Sequence, residues 1–280
     1  MLTVKSLTRS LRRQRSGAIG LAIVSLFVLV AVLAPFIAPH DPNVVALEQR
    51  LQSPSMSHLL GTDSLGRDVL SRLIYGARVS LLVGVLPALL SMVIGVVAGV
   101  VAGYFRGVAD VVIMRFADVQ LAFPFILLAL TVLATLGGGV TQLILVLGIA
   151  NWVSFCRIVR GEAMSIRERE FVLSARAIGV GRAQILARHV LPNVLAPVLV
   201  VASFVAATNI LIEASLSFLG LGVDASTPSW GSMLADGRDL LQAAWWVETF
   251  PGLAIVVTVL GINLFGDWLR DYLDPRLPTA

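Results

Sequence analysis

Residues 17–38 read GAIGLAIVSLFVLVAVLAPFIA and contain no charged residue. A helix needs about 20 mostly apolar residues to cross the hydrocarbon core of a bilayer, which is roughly 30 Å thick. The apolar stretch of a cleaved signal peptide is shorter, about 7 to 15 residues. We therefore predict that this segment is a retained first transmembrane helix.

The rest of the chain continues the same pattern. Further apolar runs lie near 79–103, 111–136, 140–159, 194–221 and 246–264. Hydrophobic residues make up 57% of the 280 residues and charged residues only 14%, whereas soluble domains carry about 25% charged residues. The composition excludes a water-soluble enzyme. The runs predict an all-α integral membrane protein with about six transmembrane helices.

Basic residues outside the apolar runs indicate the orientation. Cytoplasmic segments of membrane proteins carry an excess of Lys and Arg, and residues 1–16 contain no acidic residue but five basic ones: Lys5, Arg9, Arg12, Arg13 and Arg15. We predict that 1–16 is a cytoplasmic tail and that 39–78 is extracytoplasmic. Alternation then gives a core transmembrane domain at 79–270, with a cytoplasmic loop at 160–192 and a cytoplasmic tail at 271–280. Both termini of this multi-pass plasma (inner) membrane protein are expected in the cytoplasm, and nucleic acid is not an expected partner.

The sequence shows no catalytic or metal-binding motif. An ATP-hydrolysing P-loop needs a lysine after its glycines, and Lys5 is the only lysine. The histidines, His40, His58 and His189, lack the H-E-x-x-H spacing, and Cys156 is the only cysteine. We expect no catalytic residue, no metal site and no cofactor bound by this chain.

Glu213 is the one clear ionisable residue inside a predicted span, and Asn209 lies one helical turn before it. Ionisable side chains are costly within a membrane and are often retained for transport. Two interpretations stay open. Asn209 and Glu213 line a polar pathway, or they form hydrogen bonds between helices near the outer boundary.

The loop 160–192 contains the sequence EFVLSARAIG at 170–179 and HVLP at 189–192. Phe171, Ala175 and Ile178 recur at helical spacing and form one apolar face beside arginines. The pattern predicts a short amphipathic helix that Gly179 and Gly181 terminate. Such a helix lies on lipid or fits a groove in a partner. The narrow apolar face favours a protein partner.

The spacing of Ala175, Gly179 and the HVLP segment resembles the so-called EAA loop of ABC importer permeases, which docks on an ATP-binding subunit. The leading Glu-Ala of that family falls at Leu173 and Ser174 here, and its usual Ile falls at His189. The resemblance implies that eight residues couple the chain to an ATPase subunit: Glu170, Phe171, Ala175, Arg176, Ile178, Gly179, Arg182 and Pro192.

Five further segments resemble the C-type permease subunit of dipeptide and oligopeptide importers. They are HLLGTDSLGRDVLSR at 58–72, ASLSFLGLG at 214–222, PSWG at 228–231, FPGLAI at 250–255 and GDWLRDYLDP at 266–275. The resemblance implies a type I ABC importer permease fold and a transport subunit without enzyme activity. It also implies a second related permease subunit, two ATP-binding subunits that hold ATP and Mg, an extracytoplasmic substrate-binding protein and membrane lipid as partners.

The expected substrate is a dipeptide or oligopeptide. Similar permeases serve importers of glutathione, nickel chelates and some sugars, which therefore remain alternatives. A further alternative is a carrier that works without ATP. Such a carrier is expected to show internal repeats or more buried charges, and the sequence shows neither.

The outer segment 39–78 has its own pattern. Gly61, Thr62 and Asp63 predict a turn with helix-capping residues, and the apolar stripe that follows predicts an interfacial helix. This helix either leads the chain into the second span or contacts the substrate-binding protein or the outer gate. The candidate contact residues are Asp63, Arg67, Asp68 and Arg72.

Two packing features complete the sequence analysis. Small residues at 91, 95, 99 and 103 repeat every four residues and predict the close approach of another helix. Indole rings favour the headgroup region of a membrane. Three tryptophans are therefore predicted to lie at the outer boundary of the sixth span: Trp230, Trp245 and Trp246.

Overall fold

The computed structural model describes residues 14–224 and 226–273, and every regular element in them is a helix. In chain order they are α1 (Arg15–Ile37), a 3-10 helix (Leu47–Gln49), α2 (Val69–Phe105), α3 (Gly107–Leu121), α4 (Phe125–Leu136), α5 (Val140–Ala150), α6 (Trp152–Arg167), α7 (Glu170–Ala177), α8 (Arg182–Ile185), a π-helix (Leu186–Val190), α9 (Leu191–Phe218), α10 (Trp230–Gly237) and α11 (Trp246–Leu273).

Five helical stretches are long and apolar enough to cross a membrane: Arg15–Ile37, Val69–Phe105, Val140–Arg167, Arg182–Phe218 and Trp246–Leu273. A sixth span is formed if the bent pair α3 and α4 counts as one. The all-helical fold with about six transmembrane helices is therefore confirmed.

The predicted third span, 111–136, is not one straight helix. α3 and α4 meet at an angle of 81°. Pro124 precedes the first residue of α4. The ring of a proline disfavours the helical conformation of the residue before it and removes a backbone donor, so the helix breaks between Leu121 and Phe125.

α2 begins at Val69, earlier than the predicted second span at 79–103, and contains 37 residues. At 1.5 Å per residue it is about 55 Å long. Asp68 caps its first turn by accepting a hydrogen bond from the backbone N–H of Ser71 at 2.8 Å. The predicted interfacial helix is thus the first part of α2 and not a separate element, because buried packing continues through Ile74 and Ala77 into the span.

Close packing of α2 against α6 confirms the prediction from the small residues. Gly95, Gly99 and Gly103 are buried. A Cβ atom on Gly99 would lie 2.7 Å from the carbonyl oxygen of Cys156, and one on Gly103 would lie 2.5 Å from that of Arg160. The residue numbers of the two contacting pairs increase in the same direction along both helices. α2 and α6 therefore run parallel, with their backbones in contact.

The two ends of α2 hold different parts of the chain. Val69 at its start adjoins the 38–68 segment, whereas Tyr104 near its end accepts a hydrogen bond from Arg167 at the end of α6. Gln14 donates to Asp271 at 3.1 Å, which places the start of α1 beside the end of α11. Lys5, Arg9, Arg12 and Arg13 and the tail residues 274–280 lie outside the described residues.

The prediction of three headgroup tryptophans is wrong for two of them. Trp230 is fully buried and donates from Nε1 to the carbonyl of Leu73 at 3.0 Å. Trp246 is buried and donates to the carbonyl of Thr62 at 3.1 Å. The segment 226–245 packs over the start of α2, so these indoles find protein partners. Trp245 alone of the three is exposed.

We expect Gly99→Ala to destabilise the chain, because the added methyl group meets a backbone carbonyl that cannot rotate away. Overpacking of this kind costs about 1 to 3 kcal/mol. Gly161 on α6 is the matched control, since nothing lies within 4 Å of a Cβ built there. Thermal unfolding in detergent should show a lower melting temperature for Gly99→Ala and an unchanged or higher one for Gly161→Ala. Equal stabilities would contradict the close contact.

Candidate functional site

α7 is a short amphipathic helix, as the sequence predicts, but its apolar face is divided. Val172 and Ala175 are buried in a cluster that contains Tyr104 of α2 and Phe155 of α6. Phe171 and Ile178 point away from the cluster and are 41% and 80% exposed. The buried pair attaches α7 to the helix bundle, and the exposed pair is available to a partner.

Gly179 ends the helix as predicted. Its φ of +83° is in the left-handed region that favours glycine. The N–H of Gly179 donates to the carbonyl of Arg176 and the N–H of Val180 to that of Ala175, each at 3.0 Å. This pair of hydrogen bonds is a Schellman motif. Gly181 then precedes α8 as its N-cap.

α7 is joined to α9 by a four-residue turn at 178–181 and then by continuous helical structure. α8, the π-helix and α9 follow one another without a loop and together form the stretch Arg182–Phe218. Pro192 lies in the first turn of α9, directly after the π-helix. A proline has no N–H to donate, and the wider π-turn accommodates that loss. Asn193 donates from its side chain to the carbonyl of His189 at 2.6 Å.

Three arginines surround a cavity of about 320 Å³ between α7, α8 and the ends of α2 and α6. Arg176 lies over the ring of Tyr104 at 5.0 Å from its centroid, a cation–π contact. Arg167 donates to the carbonyl of the same tyrosine at 2.8 Å. Arg182, Phe105, Val180 and Ile185 also line it, and none of the described lining residues is a carboxylate. The lining described is therefore positively charged.

The opposite end of α2 carries a buried ion network. Asp63 accepts hydrogen bonds at Oδ2 from Nε of Arg67 at 2.6 Å and from Nη1 of Arg72 at 2.5 Å. Both arginines also donate to Oδ2 of Asp236, at 2.9 and 3.0 Å. Two carboxylates thus balance two guanidinium groups. The network connects the 38–68 segment, α2 and α10.

Between the two roles predicted for the segment that contains Asp63, Arg67, Asp68 and Arg72, this network favours leading the chain into α2 over a contact surface. All four are buried, and their charged atoms are directed to each other or to Asp236 and histidine side chains. Desolvated charges need such partners, so the four residues serve packing in this conformation. Asp236 alone in the network is substantially exposed, at 37% of its side chain.

Asp68 belongs to a neighbouring set of hydrogen bonds. Its Oδ1 lies 2.9 Å from Nδ1 of His58, and its Oδ2 accepts from the N–H and hydroxyl of Ser71. Burial raises the pKa of Asp68, but the hydrogen bonds from His58 and Ser71 outweigh it, and the pKa lies below its usual 3.8. The carboxylate is therefore ionised at neutral pH.

Asn209 and Glu213 of α9 are both fully buried between helices of this chain. Asn209 donates to the carbonyl of Gly84 on α2 at 3.1 Å and accepts from Asn151 at 3.0 Å. Glu213 accepts at Oε1 from Ser217 at 2.8 Å and from Ser229 at 2.9 Å. Of the two interpretations left open by the sequence, this geometry favours hydrogen bonds between helices.

Several partners of these residues were not predicted. Asp236 and Asn151 carry no motif, and Ser229 lies in the PSWG segment without a predicted role; all three become partners only when distant segments meet. The bidentate pair of Arg160 with Asp110, at 2.5 and 2.7 Å, joins α6 to α3 in the same manner. Charge complementarity between the arginine-rich loop and acidic residues of α3 was the one available signal.

The fold and these sites define a class of protein: a polytopic permease whose helices are fixed by close backbone contact and internal polar bonds. The family model described as "Binding-protein-dependent transport system inner membrane component" matches residues 95–278, and the model "N-terminal TM domain of oligopeptide transport permease C" matches residues 5–54. The chain belongs to this family of inner-membrane ABC transport permeases. It is a transport subunit and not an enzyme.

Named relatives cover nearly the whole chain. A putative peptide transport system permease of Brucella suis is 47% identical over 96% of this chain and 90% of its own length. The dipeptide transport system permease protein DppC of Alkalihalophilus pseudofirmus is 41% identical over 97% and 89%. The glutathione transport system permease protein GsiD of Escherichia coli is 43% identical over 96% and 89%.

We expect Asp63→Asn to destabilise the chain strongly, because Arg67 and Arg72 would then share Asp236 alone. Removing one member of a buried ion pair costs about 3 to 5 kcal/mol. Asp239→Asn is the control, since Asp239 is 85% exposed and only 3.6 Å from the exposed Arg238. Thermal unfolding should show a large decrease in melting temperature for Asp63→Asn and almost no decrease for Asp239→Asn. If the network does not stabilise the fold, both variants should show similar small changes in melting temperature.

Proposed function

We propose that this chain is half of the translocation pathway of an ATP-driven importer of dipeptides or oligopeptides. Its family membership and the peptide-transport names of two relatives support this proposal. A second related permease subunit would supply the other half. Two ATP-binding subunits would hold ATP and Mg, and an extracytoplasmic binding protein would deliver the substrate.

The orientation is part of the proposal. We place α7 and both termini in the cytoplasm and the 38–68 segment outside. The end of the bundle that carries α7 also carries Arg157, Arg160, Arg167 and Arg176, as expected for the cytoplasmic end of a membrane protein. The proximity of Gln14 to Asp271 supports placing both termini on one side.

The observation that carries the proposal is the divided face of α7. A helix that exposes Phe171 and Ile178 while its other face is packed into the bundle presents a fixed apolar contact to a partner. We propose that an ATP-binding subunit covers this contact. The positive cavity beside Arg176 and Arg182 would then receive an acidic side chain of that subunit.

Motion of the ATP-binding subunits would pass through α7 to the spans. The buried residues Val172 and Ala175 connect α7 to α2 and α6, and a short turn at 178–181 connects it to the continuous stretch Arg182–Phe218 that contains α9. A rigid connection transmits a displacement instead of absorbing it. ATP binding and hydrolysis would thereby alternate the access of the pathway between the two sides of the membrane.

Glutathione is a second candidate substrate, because the relative named as a glutathione permease is 43% identical. Nickel chelates and sugars remain alternatives on the resemblance alone. Uptake of labelled dipeptides, oligopeptides and glutathione by the reconstituted importer, with and without ATP, would decide among these substrates. Uptake that does not depend on ATP would indicate a carrier and contradict the proposal.

We expect Phe171→Asp to reduce ATP-dependent uptake while leaving membrane insertion intact. Burial of a phenylalanine is worth about 1.5 to 3 kcal/mol, so the ATPase subunit should bind about 10- to 100-fold more weakly. Co-purification of that subunit and uptake into proteoliposomes are the measurements. Gly179→Asp, which places a side chain at a left-handed residue on the same surface, should act in the same direction.

Neighbouring residues provide the controls. Phe171→Leu keeps an apolar surface and should retain most uptake. Val172→Asp places a charge in the bundle core and should prevent stable folding, in contrast to Phe171→Asp. An assembled Phe171→Asp importer with normal uptake would refute the coupling role of α7.

We propose that Glu213 attaches α10 to α9. Glu213→Ala removes the acceptor of two serine hydroxyls and should cost about 1 to 3 kcal/mol of stability. Glu213→Gln keeps a carbonyl acceptor and should preserve both stability and uptake. These effects are measured by thermal unfolding and by uptake. A stable Glu213→Gln protein without uptake would instead assign the negative charge to the translocation pathway.

A further inference from the structure

Three potential metal ligands meet at the start of α2. One ligand atom each from His40, His58 and Asp68 lies within 4.8 Å of the others. We call these three residues the histidine cluster. They come from separate positions on the 38–68 segment and from the N-cap of α2, so no motif in the sequence indicates the site.

The distances are close to those of a coordination sphere. Nδ1 of His58 lies 2.9 Å from Oδ1 of Asp68, and Nδ1 of His40 lies 3.7 Å from Oδ2 of the same carboxylate. Ligand atoms around a tetrahedral zinc ion are about 3.3 to 3.6 Å apart, as follows from bond lengths of about 2.0 to 2.2 Å. The ligand atoms of the three residues lie within 4.8 Å of one another, so side-chain shifts of about 1 Å would bring them to these distances.

The second nitrogen of His58 is also positioned for metal binding. Nε2 lies 3.1 Å from Oε1 of Gln49, which can accept a hydrogen bond from it. A hydrogen bond of this kind from the distal nitrogen orients metal-bound histidines. Nδ1 faces the ionised carboxylate of Asp68. A deprotonated imidazole nitrogen and a carboxylate oxygen are both ligands of zinc.

Access and charge suit a divalent cation. The side chain of His40 is 45% exposed and forms the open side of the cluster, while His58 and Asp68 are buried behind it. The backbone N–H of His40 donates to the hydroxyl of Ser71 at 3.0 Å, which fixes this segment against α2 without using the imidazole. The two imidazole rings lie 4.9 Å apart, centroid to centroid.

We propose that the histidine cluster binds one zinc ion, with His40, His58 and Asp68 as ligands and water in the fourth position. Two imidazoles and a carboxylate are typical ligands of this metal. The proposal replaces the expectation from the sequence that the chain has no metal site. It goes beyond the proposed transport function, because the ion would be a resident of the 38–68 segment and not the transported substrate.

A bound ion would fasten the 38–68 segment to the bundle at three points. His40 follows α1, His58 lies in the middle of the connection, and Asp68 caps α2. Ligand binding that favours the folded state raises the melting temperature in proportion to the logarithm of the free metal concentration. Zinc should therefore stabilise the chain at concentrations above its dissociation constant.

The test uses the full-length chain in detergent, purified with a tag that lacks histidine. The chain contains three histidines and one cysteine, and Cys156 is buried, so few other strong ligands compete. Co²⁺ serves as the spectroscopic probe for Zn²⁺, and zinc then displaces it. We expect visible absorption bands of four-coordinate cobalt at one ion per chain, and a zinc-dependent rise in melting temperature.

Matched variants distinguish this site from others. His40→Ala should weaken binding at least about tenfold, since loss even of an outer partner of a ligand costs about 10- to 100-fold. Gln49→Leu removes such an outer partner and should weaken metal binding about 10- to 100-fold. His189→Ala at the other end of the bundle should bind like the wild type. Circular dichroism and melting temperature without metal would verify that His40→Ala folds normally, as its exposed side chain predicts.

The proposal would be overturned by three results. They are the absence of cobalt and zinc binding by the wild type, equal binding by the wild type and His40→Ala, or loss of binding in His189→Ala alone. The last two would indicate an adventitious ion elsewhere on the chain. None of these results depends on uptake, so the zinc site and the proposed transport function can fail independently.

Discussion

The contact between α2 and α6 is the constraint on which the rest of the structure depends. Two parallel helices approach so closely that a Cβ atom on Gly99 or Gly103 would overlap the carbonyl oxygen of Cys156 or Arg160, at 2.7 and 2.5 Å. In a lipid environment, helices gain little from hydrophobic association, and close backbone packing is a principal source of attraction. α6 in turn carries α7 at its end, so the glycines of α2 determine where the exposed Phe171 and Ile178 are presented.

Polar groups complete this arrangement because each one buried between helices must find a partner within the protein. Asn209 joins α9 to α2 and to the junction of α5 and α6. Glu213 joins α9 to the N-cap of α10. α10 contains Asp236 and is held against the start of α2 by the ion pairs of Asp236 with Arg67 and Arg72. Each of these bonds favours one mutual arrangement of helices over alternatives with unpaired polar atoms.

The sequence predicted features that depend on local periodicity. Long apolar runs give the spans, the repeat of small residues gives the α2–α6 contact, and Gly179 gives the end of α7, because each is a property of one helix and its immediate residues. Pro124 indicates a kink within the run 111–136 but not its angle of 81°, and the burial of Trp230 was not predicted. Pro124 lies inside a run apolar enough to be one span, and Trp230 is buried by a segment whose return over α2 no local pattern encodes.

Site residues follow the same division. Ala175 and Gly179 were found through their spacing, whereas the burial of Asp63 and Arg67 depends on Asp236, which is remote in sequence and carries no motif. Charged residues in an extracytoplasmic segment are consistent with a contact surface as readily as with an internal network. Only the three-dimensional arrangement distinguishes these cases, since a charge becomes buried when a complementary charge is brought to it.

α2 is long enough to reach both ends of the molecule, and its two ends have different surroundings. Its first turn lies within a network of charges and histidine side chains that fixes connecting segments, and its last turn lies against α6, α7 and a cavity lined by arginines. Compensated charge resists rearrangement, because separating buried ions leaves each without a partner. Uncompensated charge attracts a partner of opposite sign. The 38–68 end of the molecule is therefore held by internal ion pairs, whereas the α7 end presents arginines and the exposed apolar side chains of Phe171 and Ile178.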